Sequence, residues 1–158
     1  MEPMTTSIGP AVLDPSLYIP ELRLRRKPSV LQELVAHASR AAVVREPAVL
    51  YETLVLRERL FGTGLGKGIA VPHARSIAVT TPRIVIARSR KGVAWDAADG
   101  QPVHLVLLVL TPAEMGEETH LDLVARAATV GRLQRNRTRL LEAAAFEAVA
   151  TVFAEAEA

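Results

Sequence analysis

From Gly62 to Gly68 every second residue is a glycine, and the run passes directly into Ile69, Ala70, Val71, Pro72 and His73. No helix tolerates glycine at that density, because each one costs about 1 kcal/mol relative to alanine. The run is read as a loop without regular structure. It is followed by a short strand over 69–71 that stops at Pro72, since proline supplies no ladder donor. Proline also restricts Val71 to an extended conformation and so sets the chain direction into His73.

The rest of the chain organises around this break. Residues 1–16, rich in Pro, Gly, Ser and Thr without periodicity, are expected to be a flexible terminus, with a domain over 17–156. The stretch 18–24 alternates loosely and reads as an edge strand or a loop. Val30, Leu31, Leu34, Val35 and Ala38 recur at helical spacing behind Pro28. A second helix is expected from Pro47 to about Leu60, with Val49, Leu50, Leu54 and Val55 as its apolar set. Strands follow over 84–88, ending before a turn at Gly92, and over 103–110, ending at Thr111-Pro112. Leu121, Val124, Ala128 and Leu133 mark one face of a further helix. Two short helices are expected over 137–145 and about 147–156. Helices flanking several strands, with no internal repeat and no dividing linker, make this one α/β domain.

Composition removes several classes of function. The 158 residues include no cysteine, so there is no disulfide, thiol nucleophile or thiolate metal site. The net charge is only +2, and the densest basic stretch, Arg132, Arg135, Arg137 and Arg139, has no interleaved aromatics. A nucleic-acid stacking platform would want them, and those arginines are read as an exposed helix end. No run approaches the ~18 apolar residues of a membrane span, and the first 20 residues lack a basic start followed by an apolar stretch. The chain is therefore expected to be cytoplasmic.

Two nucleotide patterns fail on the glycine run. A Walker loop needs glycine at position 61 and Ser or Thr at 68, where Phe61 and Gly68 stand. The dinucleotide pattern from Gly62 needs glycine at 67, which is Lys67. What remains is a histidine behind a loop whose glycines let the backbone approach a bound anion and leave N–H groups to face it. A neutral imidazole is a competent nucleophile, and Arg57 and Arg75 are placed to neutralise an oxyanion. His120 is the second candidate. Thr119 with Asp122 resembles a capping box, which would put His120 in a first helical turn with free N–H groups. His37 and His104 are read as structural. No short metal-ligand spacing occurs, no G-x-S-x-G elbow is present, and Glu117-Glu118 reads as a solvated first turn.

Taken together the motifs resemble the fructose/mannitol-type enzyme IIA domain of the bacterial phosphoenolpyruvate-dependent sugar phosphotransferase system, including its nitrogen-regulatory branch. The matching pieces are Arg57-Glu58, T-G-x-G-x-G-I-A-V-P-H-A-R over 63–75, G-V-x-W over 92–95, P-V-x-L-V-x-L-x-L-x-P over 102–112 and H-L-x-L from His120. The resemblance implies a mixed β-sheet flanked by α-helices. It implies that His73 accepts a phosphoryl group from the phosphohistidine of the histidine-containing phosphocarrier protein. His120 would then hold the phosphoryl oxygens, helped by partial protonation, and Arg57 would supply positive charge. Thr63, Gly64, Lys67 and Arg75 would contribute to phosphate or partner binding. Neither a metal nor a nucleotide cofactor is required.

Gly62 stands where this family often has serine, and Lys67 where a polar uncharged residue is common. The downstream partner is expected to be an enzyme IIB domain or, in the regulatory branch, a target protein. A chain of IIA size alone leans toward regulation. Two other readings stay open at this point: a binding module that never carries phosphate, and a zinc hydrolase built on His73 and His120.

Overall fold

The computed structural model describes residues 11–156. A central sheet contains β1 (Tyr18–Ile19), β2 (Gly64–Gly66), β3 (Ile69–Ala70), β4 (His73–Ser76), β5 (Arg83–Val93) and β6 (Val103–Pro112). Five helices cover it: α1 (Lys27–Arg40), α2 (Pro47–Leu60), α3 (Glu117–Arg132), α4 (Gln134–Glu142) and α5 (Phe146–Ala156). The spatial order is β1-β5-β6-β3-β2, with β4 also paired to β6. β5 runs antiparallel to β6, whereas β3 and β4 run parallel to it, so the sheet is mixed as expected.

Both faces of the sheet are buried, which explains why β6 is an almost unbroken apolar run. Val106, Leu108 and Leu110 join one core with Leu31, Leu34, Leu50 and Leu54 of α1 and α2. Leu105, Leu107 and Val109 join the other with Leu123, Leu140, Val149 and Phe153 of α3, α4 and α5. Alternate residues of one strand thus serve opposite layers.

Three sequence expectations need correcting. The glycine run is not irregular: Gly64–Gly66 forms β2, antiparallel to β3, with Gly66 opposite Ile69. Lys67 and Gly68 between them both have positive φ, 58° and 81°, as a tight two-residue hairpin requires. Next, the strand that stops at Pro72 resumes at once as β4. β3 and β4 lie on the same edge of β6, at Leu105–Val106 and Val109–Pro112 respectively, with Pro72 in the gap. The Pro72 carbonyl still accepts from the Val109 N–H at 3.0 Å, so the missing donor interrupts the ladder without ending it. Finally, β5 runs through Gly92 (φ 92°) instead of turning there, with a register shift between Arg88 and Val93.

Smaller differences follow from packing. β6 extends through Thr111-Pro112 because β4 pairs that far. The fourth helix starts at Gln134, before the expected 137. Val49, Leu121 and Leu133 are exposed; the buried face of α3 keeps the expected Ala128 and adds His120, Leu123, Ala127, Val130 and Gly131. Of the terminus expected to be flexible, residues 1–10 lie outside the described residues. Val12 and Leu13 beyond them are buried in the α3–α5 core, and the Ile84 N–H donates to the Val12 carbonyl at 3.1 Å. No helix among the described residues is long and apolar enough to cross a membrane.

Candidate functional site

His73 opens β4, half-buried, and is therefore held by the sheet and not by a loop. Its Nδ1 lies 3.0 Å from the Val71 carbonyl oxygen. A carbonyl can only accept, so Nδ1 carries the proton and a neutral ring leaves the Nε2 lone pair free. Burial, the larger effect, and the Arg57 charge push the His73 pKa below its ordinary value, against the opposing Val71 hydrogen bond. The ring is accordingly unprotonated at Nε2 at neutral pH.

His120 faces it from α3, the two ring centroids 5.5 Å apart and the planes tilted by 47°. Only 3% of His120 is exposed. Its Nδ1 lies 2.7 Å from the Thr111 hydroxyl oxygen, while its Nε2 is buried and has no hydrogen-bond partner among the described residues. Burial, then the neighbouring His73, Arg57 and Arg75, push its pKa down to about 4. His120 is therefore neutral at neutral pH in the unphosphorylated protein. The helix start differs from the expected capping box: Gly116 is the N-cap, and the His120 N–H is already bonded to the Gly116 carbonyl at 3.0 Å.

His73 borders a hollow of about 420 Å³ lined also by Arg57, Phe61, Thr63, Leu65, Leu121 and Arg132, among others; the buried His120 ring lies against His73 but is not part of that lining. Phe61 is 75% exposed, Leu121 48% and Leu65 39%, so the hollow has an apolar rim with arginines at its edge. Arg57 reaches it from the last turn of α2.

The other predicted residues have different surroundings. Thr63 lines the hollow, but its N–H and hydroxyl both donate to the Glu58 carboxylate, and the Trp95 indole N–H donates to the same hydroxyl at 3.3 Å. Glu58 in turn pairs with Lys27 at 3.2 Å. Gly64 packs so closely that an added Cβ would lie 2.9 Å from the Ala97 Cβ and 3.2 Å from the Trp95 ring; its glycine is required by this approach. Lys67 sits at the β2–β3 turn, exposed, outside the hollow's lining, with its N–H on Asp99 at 2.8 Å. Arg75 donates to the Ala113 and Met115 carbonyls at 2.8 and 3.2 Å, tying β4 to the segment before α3. His104 Nδ1 bonds the Ser89 carbonyl at 2.8 Å, a structural contact between β6 and β5. Among the described residues no group of three or more His, Asp or Glu could hold a metal ion.

The sequence model of the family described as "Phosphoenolpyruvate-dependent sugar phosphotransferase system, EIIA 2" matches residues 11–156. The chain belongs to this family. This EIIA is 34% identical to a Haloferax volcanii "PTS system fructose-specific EIIA component" over 82% of the chain and 83% of that protein. It is also 34% identical to a Bradyrhizobium diazoefficiens "Nitrogen regulatory protein", over 89% of the chain and 90% of the relative. The same identity to the fructose-specific EIIABC component of Bacillus subtilis covers 79% of the chain but only 20% of that longer protein. Among solved structures, the nitrogen regulatory protein IIA-Ntr from Neisseria meningitidis superposes with a TM-score of 0.82 at 29% identity, over 90% of this EIIA and 96% of that chain. The Escherichia coli IIA mannitol structure gives 0.73 at 18% identity, over 87% and 96%, and shares the fold.

The sequence motifs single out His73, His120 and Arg57; the structure sets Arg57 and His73 in the lining of one hollow and the His120 ring against His73. They do not single out Thr111 or the apolar rim, and Glu58, though part of the Arg57-Glu58 match, is given no role by it. Thr111 had a signal, as a lone hydroxyl closing an apolar strand, but its partner lies on another element.

Proposed function

We propose that this EIIA is a cytoplasmic phosphoryl carrier, with His73 as acceptor. The observation that carries the reading is the Val71 carbonyl on His73 Nδ1, which leaves Nε2 as the nucleophile beside a buried, partnerless His120 Nε2. A bond forms between His73 Nε2 and phosphorus as the bond to the donor's phosphohistidine nitrogen breaks, and that nitrogen keeps the electron pair. Charge on the three phosphoryl oxygens is met by Arg57 and by His120. Positioning and electrostatic stabilisation then suffice.

The donor fitting this chemistry is the histidine-containing phosphocarrier protein. Apolar Phe61, Leu65 and Leu121 around arginines support docking of a protein over a small molecule. The next acceptor is an enzyme IIB domain; the Escherichia coli enzyme IIAMtl, of similar fold, has been solved in complex with phosphorylated enzyme IIBMtl. Relatives named for nitrogen regulation support a second use, in which the phosphorylation state of His73 alters binding to a target protein.

Incubation with phosphoenolpyruvate, enzyme I and the phosphocarrier at alkaline pH, followed by intact-mass analysis, tests the reading. One acid-labile phosphate on His73, at Nε2 by 15N and 31P NMR, is the expected result. Its departure on adding enzyme IIB separates sugar uptake from regulation. No mass shift where a known acceptor is labelled would make the protein a binding module on the same fold.

A further inference from the structure

Thr111 is wholly buried near the end of β6, the first polar side chain after six apolar residues from Leu105 to Leu110. Its Oγ1 lies 2.7 Å from His120 Nδ1, and among the described residues that is its one side-chain hydrogen bond. Two proton arrangements fit this distance. In one, Nδ1–H donates to Thr111; His120 Nε2 is then a bare lone pair, and the hydroxyl's own proton is buried with no acceptor. In the other, the hydroxyl donates to Nδ1, its proton is satisfied, and Nε2 carries the imidazole's hydrogen. The second leaves one buried group unpaired, Nε2–H, where the first leaves two, and unpaired buried polar groups are costly.

The same choice decides what an arriving anion meets. A lone pair on Nε2 would repel phosphoryl oxygens, which are acceptors only, whereas Nε2–H bonds them and relieves the orphaned nitrogen. We propose that Thr111 is a positioning residue for phosphoryl transfer: its hydroxyl donates to His120 Nδ1, fixes the Nε2–H tautomer and presents a donor to the phosphoryl group on His73. This rests on the carrier reading above. Threonine suits the task because its branched Cβ restricts χ1, so ring angle and tautomer are set by one contact. The proton on Nε2 stays there throughout; Thr111 supplies orientation and takes no part in bond making.

The tautomer can be read without phosphate. Long-range 1H–15N correlation of the unphosphorylated protein, with His120 assigned by its loss in His120→Gln, should show Nε2–H in the wild type and in Thr111→Ser. Thr111→Val should show a mixture. In the labelling reaction Thr111→Val should accept phosphate about tenfold more slowly, with Thr111→Ser within about twofold of wild type. An Nδ1–H tautomer in the wild type, or an unchanged tautomer or rate in Thr111→Val, overturns the proposal. The wild-type spectrum decides this even where Thr111→Val does not fold. Absence of labelling in a wild type showing Nε2–H fails the carrier reading itself and removes the role assigned to Thr111 in transfer.

Discussion

Glu58 and Thr63 are joined twice, the Thr63 N–H donating to Oε2 at 3.2 Å and its hydroxyl to Oε1. This clamp ties the last turn of α2 to the three-residue connection, 61–63, that leads into the glycine hairpin. Because Arg57 precedes Glu58, it also fixes the turn of helix from which Arg57 reaches the hollow. With its N–H and hydroxyl both donating to Glu58, Thr63 has no donor left for an anion. Thr63→Val should therefore lower stability by about 1 kcal/mol, or roughly 2–4 °C in melting temperature, while labelling proceeds near the wild-type rate. Thermal melts and mass spectrometry check both halves; a severe loss of labelling in a folded variant would return Thr63 to the phosphate site.

The two histidines should behave differently. His73→Ala removes the nucleophile and should abolish labelling, while circular dichroism stays native because the half-buried ring is no part of either apolar core. His120→Gln should slow transfer by roughly 100-fold without eliminating it, the loss typical of one oxyanion donor. Phosphate accepted by His73→Ala at the wild-type rate would move the acceptor elsewhere.

Arg57 and Lys67 form a matched pair of cations, one inside the hollow's lining and one outside it. Arg57→Gln should reduce the rate of acceptance by roughly 100-fold. Lys67→Ala should leave it unchanged. Single-turnover rates with a fixed donor concentration distinguish them, and equal effects would mean that only the general positive field matters.

Acid should destabilise the protein through His120. Its folded pKa, pushed down to about 4, lies below the ~6.5 of an unfolded histidine. Between those values the unfolded chain binds a proton that the native ring refuses, so stability rises with pH across that window and is lost as pH falls from ~6.5 toward 4. Above ~6.5 this group contributes no slope. Denaturant unfolding at several pH values should show a shallower slope in His120→Gln than in wild type over that window; identical slopes would place the effect on other groups.

Much of the fold was readable because burial leaves a pattern. β6 packs against helices on both faces and so is apolar at nearly every position; α1 shows its core face at helical spacing. β2 and β4 leave no such trace. Gly64–Gly66 has almost no side chains to pattern, and its pairing is carried by main-chain groups. His73–Ser76 reads as polar, and only its ladder with Val109–Pro112 makes it a strand. α3 was recognised but with its buried face displaced: Leu121 is turned to the hollow's rim, and His120 takes the buried position.

The site was legible to the same degree. His73 and His120 each sit in a short local motif, so spacing alone points to them. Thr111 touches His120 across a strand-to-helix connection, and Glu58 spends its carboxylate on a turn. Contacts of that kind depend on where elements come to rest. They carry no fixed interval along the chain.

The atom that orients His73 belongs to the main chain. No side-chain replacement at position 71 can delete the Val71 carbonyl, so the nitrogen left free on His73 is chosen by something every residue type brings with it. Thr111 is different: a single codon can erase its hydroxyl. Drift among relatives is therefore expected to fall unequally on the two rings. It should alter how firmly phosphate is held and for how long, well before it alters which nitrogen receives it.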